Sequence, residues 1–405
     1  MLTDVALLVL FALVGNLAFG RLGLPGILGM IATGVVLGPA GLDLIEPGIL
    51  TFLEETKTAA LIVILVRAGL GISKTTLNRI GGPAIRMSFV PGLVEGSVVT
   101  AAAYTLLDLP FLESGMLGFI IAAVSPAVVV PTMLDLKERG FGERKEVPTL
   151  VLAGASVDDV VAITVFGVFA GLASGGDAGI GHLLVAVPSG VLLGALIGAA
   201  LGFLLLALYR AVRMKDATRA IVLMIVAVVF YDVAELPAVK EVVPIAALLG
   251  IMAIGFVILE RDSALAHDLS STFGGIWVLA EMLLFVYIGT EVKLDALDAG
   301  LVGVGLLILA VGLTARSIGV WIALAGSELT TRERLFCVIA YWPKATVQAA
   351  MGAVPLSMVL EGRMTTMTEE SGEVILAMAV LAIVVTAPLG AIGIKFAGPR
   401  LLTRG

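Results

Sequence analysis

Apolar runs of about 20 residues recur along the whole chain, and short polar or glycine- and proline-containing loops separate them. Each run is long enough to cross the roughly 30 Å hydrocarbon core of a bilayer as an α-helix. Several runs exceed 25 residues, which indicates tilted or broken helices. The spacing predicts an all-α polytopic membrane protein with about thirteen spans, near 3–20, 24–43, 48–72, 83–107, 113–137, 147–175, 182–211, 217–234, 242–259, 271–290, 297–326, 332–358 and 372–397.

The composition supports this reading. Hydrophobic residues make up 59% of the chain and charged residues only 14%, which is too little charge to cover the surface of a soluble domain. The longest polar insert, 359–371, is too short to fold alone, so we expect residues 1–405 to form a single membrane domain. The only cysteine, Cys337, excludes a disulfide framework. No basic patch predicts a nucleic-acid partner, and we expect no cofactor.

The basic residues predict the orientation of the chain. If the N-terminus lies outside, 18 of the 25 lysines and arginines fall in cytoplasmic loops. The outer loops then hold four basic residues, which are Lys57, Lys240, Lys293 and Arg363. Because cytoplasmic loops carry an excess of Lys and Arg, this split predicts a cell (inner) membrane protein with its C-terminus in the cytoplasm.

Five charged residues lie at about the same depth within predicted spans. A helix rises about 1.5 Å per residue, which places them roughly 15 to 18 Å from the cytoplasmic end. Charges are expensive at this depth and usually mark function. Three are acids and two are bases, so ion pairs can satisfy most of them while one carboxylate stays available. The five are Glu95, Asp158, Asp159, Arg316 and Lys344.

The adjacent aspartates indicate the chemistry. Neighbouring side chains on a helix point about 100° apart, so Asp158 and Asp159 need not contact the same partner. A buried carboxylate can bind either a proton or a small cation, and competition for one site is the simplest basis for exchange. The alternative is that the two aspartates only stabilise packing through ion pairs. Glu95 and Arg316 likewise fit a purely structural salt bridge between helices.

Two spans are predicted to be interrupted. Pro126 and Pro131 lie mid-membrane beside Ser125 and Thr132, and Pro343 directly precedes Lys344. Proline removes a backbone donor and clashes with the preceding turn, so unbroken helices are not expected there. Non-helical backbone at this depth must line a cavity or be buried in protein. The two spans are seven apart and run in opposite directions, which predicts inverted repeats with a midplane site.

Several stretches spread over the chain resemble the cation:proton antiporters with the NhaA-type fold, and most closely their NHA branch. They are LVRAGLGIS (65–73), PGLVEGS (91–97), GFIIAAVSPAVVVPTML (118–134), GASVDDVVAIT (154–164), WPKATVQAA (342–350) and VVTAPLGAIGIKFAGPRLL (384–402). The resemblance implies a mobile core, around 83–175 and 297–397, that moves like an elevator. It implies dimerisation helices around 1–72 and 182–290, and a homodimer.

The resemblance also implies roles for particular residues. Asp159, with Asp158, would bind the transported Na⁺ or Li⁺ in competition with a proton, and Asp158 would pair with Lys344. Ser125, Pro126 and Thr132 would belong to the first crossing. Ser125, Thr132 and Lys344 would take part in ion or proton binding, and Lys344 would release a proton or its pair when the ion binds. Glu95 and Arg316 match an acid–base pair of the branch.

The resemblance predicts a secondary antiporter rather than an enzyme. The alternatives are a K⁺/proton antiporter or a sodium-coupled symporter on the same fold, a channel, and an intramembrane protease. An aspartyl protease needs two aspartates on separate facing helices, which neighbours in one helix do not provide.

Overall fold

The computed structural model describes residues 2–174, 180–240, 245–291, 299–364 and 367–404. This part of the chain is helical, with a single 3₁₀ turn at Glu143–Lys145 and no β-strand. The helices are α1 (Leu2–Arg21), α2 (Gly26–Leu37), α3 (Pro47–Gly69), α4 (Lys74–Leu106), α5 (Phe111–Ala122), α6 (Pro126–Glu138), α7 (Val147–Ala173), α8 (Ile180–Ala211), α9 (Asp216–Glu235), α10 (Pro237–Lys240), α11 (Ala247–Arg261), α12 (Ser263–Thr290), α13 (Ala299–Ala323), α14 (Thr331–Ala340), α15 (Thr346–Met351), α16 (Val354–Leu360) and α17 (Glu369–Leu401).

The all-α membrane fold predicted from the sequence is confirmed. Each predicted span coincides with a helix or with a broken helix. Among the described residues, nine segments are long and apolar enough to cross a membrane, and α2 and Thr346–Leu360 are shorter apolar helices. The count of thirteen spans stays a prediction.

The chain divides into two compact units. The first unit contains Met1–Val9, Pro47–Gly81 and Leu184–Leu284. The second unit contains Leu10–Glu46, Gly82–Leu183 and Phe285–Gly405. The division into core and dimerisation helices implied by the resemblance stays a prediction about their roles.

In the first unit, small residues let helices approach closely. A Cβ atom added to Gly69 of α3 would lie 2.2 Å from the carbonyl oxygen of Met252 in α11. A Cβ atom added to Gly198 of α8 would lie 2.0 Å from the carbonyl oxygen of Gly250, also in α11. Such contacts are typical of membrane helices, where van der Waals packing replaces the hydrophobic effect as the force between helices.

In the second unit, the segment that runs through α5 and α6 lies at the centre. In its most apolar stretch, 89% of the residues are buried. The segment packs against α7 and α17. Residues 123–125 between the two helices are not helical, and they are buried. Because these backbone groups are buried, we expect their hydrogen bonds to come from the surrounding protein. Those partners define the candidate site.

Candidate ion-binding site

The first interruption lies where α5 ends at Ala122 and α6 begins at Pro126. Proline fits the first position of a helix, since its missing N–H would have no partner there. The prediction that Pro131 also breaks the segment is wrong, because α6 continues through Pro131. Pro131 cannot donate to the carbonyl four residues earlier, at Ala127, but the helix continues past it. The Thr132 hydroxyl donates to the Val128 carbonyl within α6, at 2.6 Å.

The second interruption spans residues 341–345, between α14 and α15, and Pro343 lies inside it. The two interruptions bond each other directly. The Ser125 amide donates to the Pro343 carbonyl at 2.8 Å, and the Ser125 hydroxyl lies 3.5 Å from that of Thr346. The Gln348 side-chain amide donates to the carbonyls of Ile120 (2.8 Å) and Ala123 (3.0 Å). The end of α5 is therefore capped by the second broken helix.

Four of the five predicted intramembrane charges form one buried network. The Arg316 guanidinium bonds Glu95 at 2.6 Å and Asp158 at 2.7 Å. The Lys344 ammonium bonds the same Glu95 oxygen at 2.6 Å. All four side chains are at most 1% exposed. The network thus joins α4, α7, α13 and the interruption that precedes α15.

The pairing of Asp158 with Lys344 that the resemblance implied is wrong in this structure. Lys344 bonds Glu95, and Asp158 bonds Arg316. The reason lies in the shapes of the two cations. The planar guanidinium presents donors on two sides and bridges two carboxylates, whereas the ammonium is a point charge. Glu95 bonds both cations. Glu95 is therefore the acid that pairs with Lys344, where Asp158 was expected.

The network also satisfies backbone groups at the first interruption. Arg316 and Lys344 both donate to the carbonyl of Ala122, the last residue of α5. The C-terminus of a helix carries partial negative charge, so cations are favourable there. The Val124 amide donates to the Asp158 carboxylate at 3.1 Å. The charges and the broken backbone therefore stabilise each other.

Asp159 forms no ion pair with another described residue. Two acids, Glu95 and Asp158, balance the two bases of the network, and Asp159 is 4% exposed. Its Oδ1 atom has no hydrogen-bond partner in the described part of the chain. An uncompensated carboxylate in a buried place is costly unless it binds a proton or a cation. Asp158 also keeps one oxygen, Oδ1, without a partner there.

Sequence reasoning missed two residues of the site. Tyr341 is fully buried, and the Arg316 guanidinium lies 5.2 Å from the centre of its ring. The Thr386 hydroxyl of α17 accepts a hydrogen bond from the Lys344 amide at 3.0 Å. Two features of the sequence could have identified them. Tyr341 is an aromatic residue just before Pro343, and Thr386 is a lone threonine in an apolar span.

An all-helical membrane protein in which two interrupted helices meet beside buried charges has the architecture of a secondary transporter. The sequence profile of the family described as "Sodium/hydrogen exchanger, transmembrane" matches residues 6–398, so the chain belongs to this family. The resemblance seen in the sequence is thereby confirmed.

Individual relatives agree with this assignment. The chain is 32% identical to sodium/hydrogen exchanger 9B2 of Mus musculus, covering 94% of this chain and 69% of the relative. It is 31% identical to the Homo sapiens protein of the same name, covering 94% and 70%. The solved structure of the sodium proton antiporter MjNhaP1 from Methanocaldococcus jannaschii at pH 8 matches with a TM-score of 0.78 and 18% identity, over 99% of this chain and 98% of that one. This last similarity shows the fold.

Proposed function

We propose that this chain exchanges Na⁺ or Li⁺ for protons across a membrane, with Asp159 as the site that the two ions share. The observation that carries the proposal is the charge balance of the buried cluster. Glu95, Asp158, Arg316 and Lys344 neutralise one another, and Asp159 has no ion-pair partner among the residues that the structure describes. A carboxylate in this position holds a proton or a metal ion but not both, so binding one expels the other.

Asp158 has a different role in this proposal. Its Oδ2 is held by Arg316 and by the Val124 amide, and its Oδ1 stays without a partner among the described residues. Held in this way, the side chain offers one oxygen to a cation at the neighbouring Asp159. Alkali cations take oxygen ligands, and two carboxylate oxygens from adjacent residues supply the start of such a site.

Lys344 acts as a structural cation rather than as a proton carrier in this account. Its ammonium bonds Glu95 and the Ala122 carbonyl, so it joins the second interruption to the end of α5. The Ser125 and Thr346 hydroxyls lie at the same place in the fold. They are the neutral oxygens that we expect to complete the ion's shell.

The finer features of transport belong to the same proposal. The multi-pass fold and the interrupted helices support alternating access around a fixed site. The distribution of basic residues supports an N-terminus outside and a cytoplasmic C-terminus. The family resemblance supports a homodimer in a cell membrane.

The experiment is ion exchange in proteoliposomes with an acidic interior and a fluorescent pH dye. Adding external Na⁺ or Li⁺ should dissipate the pH gradient, and Asp159→Asn should abolish this response. Asn has the shape of the protonated acid, so the variant should keep the thermal stability of the parent. The matched control is Asp268→Asn, which changes an exposed aspartate of α12 and should exchange normally.

Normal exchange by Asp159→Asn would overturn the site assignment. A response to K⁺ as strong as that to Na⁺ would favour the K⁺/proton alternative. Uptake of Na⁺ without any proton movement would favour a symporter on this fold.

A further inference from the structure

A basic cavity of about 650 Å³ lies in the second unit, and its described lining residues are different from those of the ion site. Its walls come from the turn between α6 and α7, the start of α14 and the end of α17. Four basic side chains line it, which are Arg144, Lys145, Arg332 and Arg400. This is a concentration of positive charge in a chain whose net charge is −7.

The walls of this cavity are fixed by bonds between distant parts of the chain. The Gly142 amide donates to the Thr403 carbonyl at 2.8 Å, and Phe141 and Arg404 form an antiparallel bridge. The Lys145 ammonium donates to the Glu328 carbonyl at 2.7 Å and to the Glu333 carboxylate at 3.0 Å. These contacts hold the three walls together within one unit.

Basic side chains outnumber acidic ones among the described residues that line the cavity. Glu333 is the one acid among the described lining residues, and Lys145 and the backbone amide of Thr330 already bond its carboxylate. The Arg332 side chain is exposed, and it forms no ion pair or hydrogen bond with another described residue. The amides of Thr331 and Arg332 lie in the first turn of α14, where N–H groups have no partner within the helix. A helix N-terminus of this kind favours an anion.

Apolar side chains lie beside two of the basic ones. Leu335 follows Arg332 by one helical turn and is 44% exposed, and Phe396 precedes Arg400 by one turn and is 43% exposed. The Arg400 guanidinium lies 5.5 Å from the centre of the Phe396 ring. A surface that passes from exposed apolar groups to arginines fits a molecule with an apolar tail and an anionic head.

We propose that this cavity binds the phosphate-bearing headgroup of an anionic phospholipid, with its acyl chains along Phe396 and Leu335. The basic loops place the cavity on the side predicted to be cytoplasmic, and cytoplasmic leaflets carry anionic lipids that basic pockets bind. Its size is in the usual range for small-molecule sites. Because α14 leads directly to the interruption that carries Lys344, a bound headgroup ties that helix to α17 and stabilises the unit.

The experiment uses the full-length protein purified in a neutral detergent, and native mass spectrometry counts bound lipids. Phosphatidic acid should bind more tightly than phosphatidylcholine with the same acyl chains, and should raise the melting temperature. The double variant Arg332→Gln/Arg400→Gln should bind phosphatidic acid at least about tenfold more weakly, since it removes two charge-assisted contacts. The control Arg210→Gln/Arg213→Gln removes two exposed arginines from the other unit and should bind like the parent.

Three results would overturn the proposal. One is equal affinity for the anionic and the zwitterionic lipid. Another is an equal loss of binding in the Arg332/Arg400 variant and in the Arg210/Arg213 control. The third is full stabilisation by inorganic phosphate with no added gain from phosphatidic acid, which would assign the cavity to a soluble anion. None of these results depends on ion exchange, so this proposal and the proposed function can fail separately.

Discussion

Arg316 is a fully buried cation that holds two carboxylates from two different helices. Each carboxylate would be strongly destabilising at this depth without a partner, and so would the guanidinium. The arrangement is stable because the forked side chain bonds Glu95 and Asp158 at once, while its face lies against the Tyr341 ring. Lys344 adds a second cation to Glu95 but does not replace this bridge.

Replacing Arg316 by lysine tests the bridge. An ammonium can bond one carboxylate well but cannot span both, so Arg316→Lys should lower the free energy of unfolding by about 3 kcal/mol or more. Thermal unfolding in detergent measures the change. The control is Arg363→Lys, in the exposed pair with Glu361, where a change under about 1 kcal/mol is expected. Equal stability of Arg316→Lys and the parent would show that the bridge is not needed.

Two variants of Tyr341 separate the contribution of its hydroxyl to stability from that of its ring. Its hydroxyl is buried and has no partner among the described residues, while its ring contacts Arg316. Tyr341→Phe should therefore change stability by less than about 1 kcal/mol, because no hydrogen bond is lost. Tyr341→Leu removes the ring and leaves space, which should cost about 2 to 4 kcal/mol. If Tyr341→Phe were as damaging as Tyr341→Leu in the same unfolding assay, the hydroxyl would have a role that this account lacks.

At this scale the sequence identified the charged residues but not all of their partners. Depth along a helix follows from a constant rise per residue, so the level of Glu95, Asp158, Asp159, Arg316 and Lys344 could be estimated. Which cation meets which acid depends on the rotation and separation of several helices. A pattern in one sequence does not contain these quantities, and the resemblance therefore implied the wrong partner for Lys344.

At the scale of helices, the sequence predicted the two interruptions but not their exact positions. Both interruptions were expected from prolines at membrane depth. In α6, however, one proline begins the helix and the next lies within it. Pro126 can start α6 because the side chains of Gln348, Arg316 and Lys344 cap the end of α5. These caps come from distant segments, so the local sequence could not show which proline lies at the interruption.

Gly390 tests how closely α17 must approach the second interruption. A Cβ atom there would lie 2.3 Å from Pro343 Cγ, so Gly390→Ala should force the two segments apart and cost about 1 to 3 kcal/mol. Gly303→Ala in α13 is the control, since no atom lies within 4 Å of its added Cβ and alanine favours a helix. Melting temperatures of both variants measure the contrast. A Gly390→Ala protein as stable as Gly303→Ala would mean that the contact is loose.

For the whole molecule, the fold was the most predictable feature. The thickness of the hydrocarbon core fixes the length of a span. With 14% charged residues, the chain has too little charge to cover its apolar helices with a soluble surface, so they must lie in a membrane. The predicted spans therefore match the helices even where α14, α15 and α16 divide one span into three parts. The division of the chain into two compact units was harder to predict, because it depends on contacts between remote segments.

The orientation of the whole chain gives a further prediction. Because 18 of the 25 basic residues lie in loops predicted to be cytoplasmic, fusion of green fluorescent protein to the C-terminus should give fluorescent bacterial cells, and fusion of alkaline phosphatase there should be inactive. Green fluorescent protein folds in the cytoplasm, whereas alkaline phosphatase needs the oxidising periplasm. The reverse pair of results would invert the orientation.

The most direct test of the account is proton release on cation binding to the purified protein in weak buffer. Adding Na⁺ should release up to about one proton per chain, because Asp159 must give up its proton to take the ion. Asp159→Asn should release none, and the surface control Asp268→Asn should release as much as the parent. Thermal stabilisation by Na⁺ with no proton released, or the same release from Asp159→Asn, would contradict the claim that the two ions share this carboxylate.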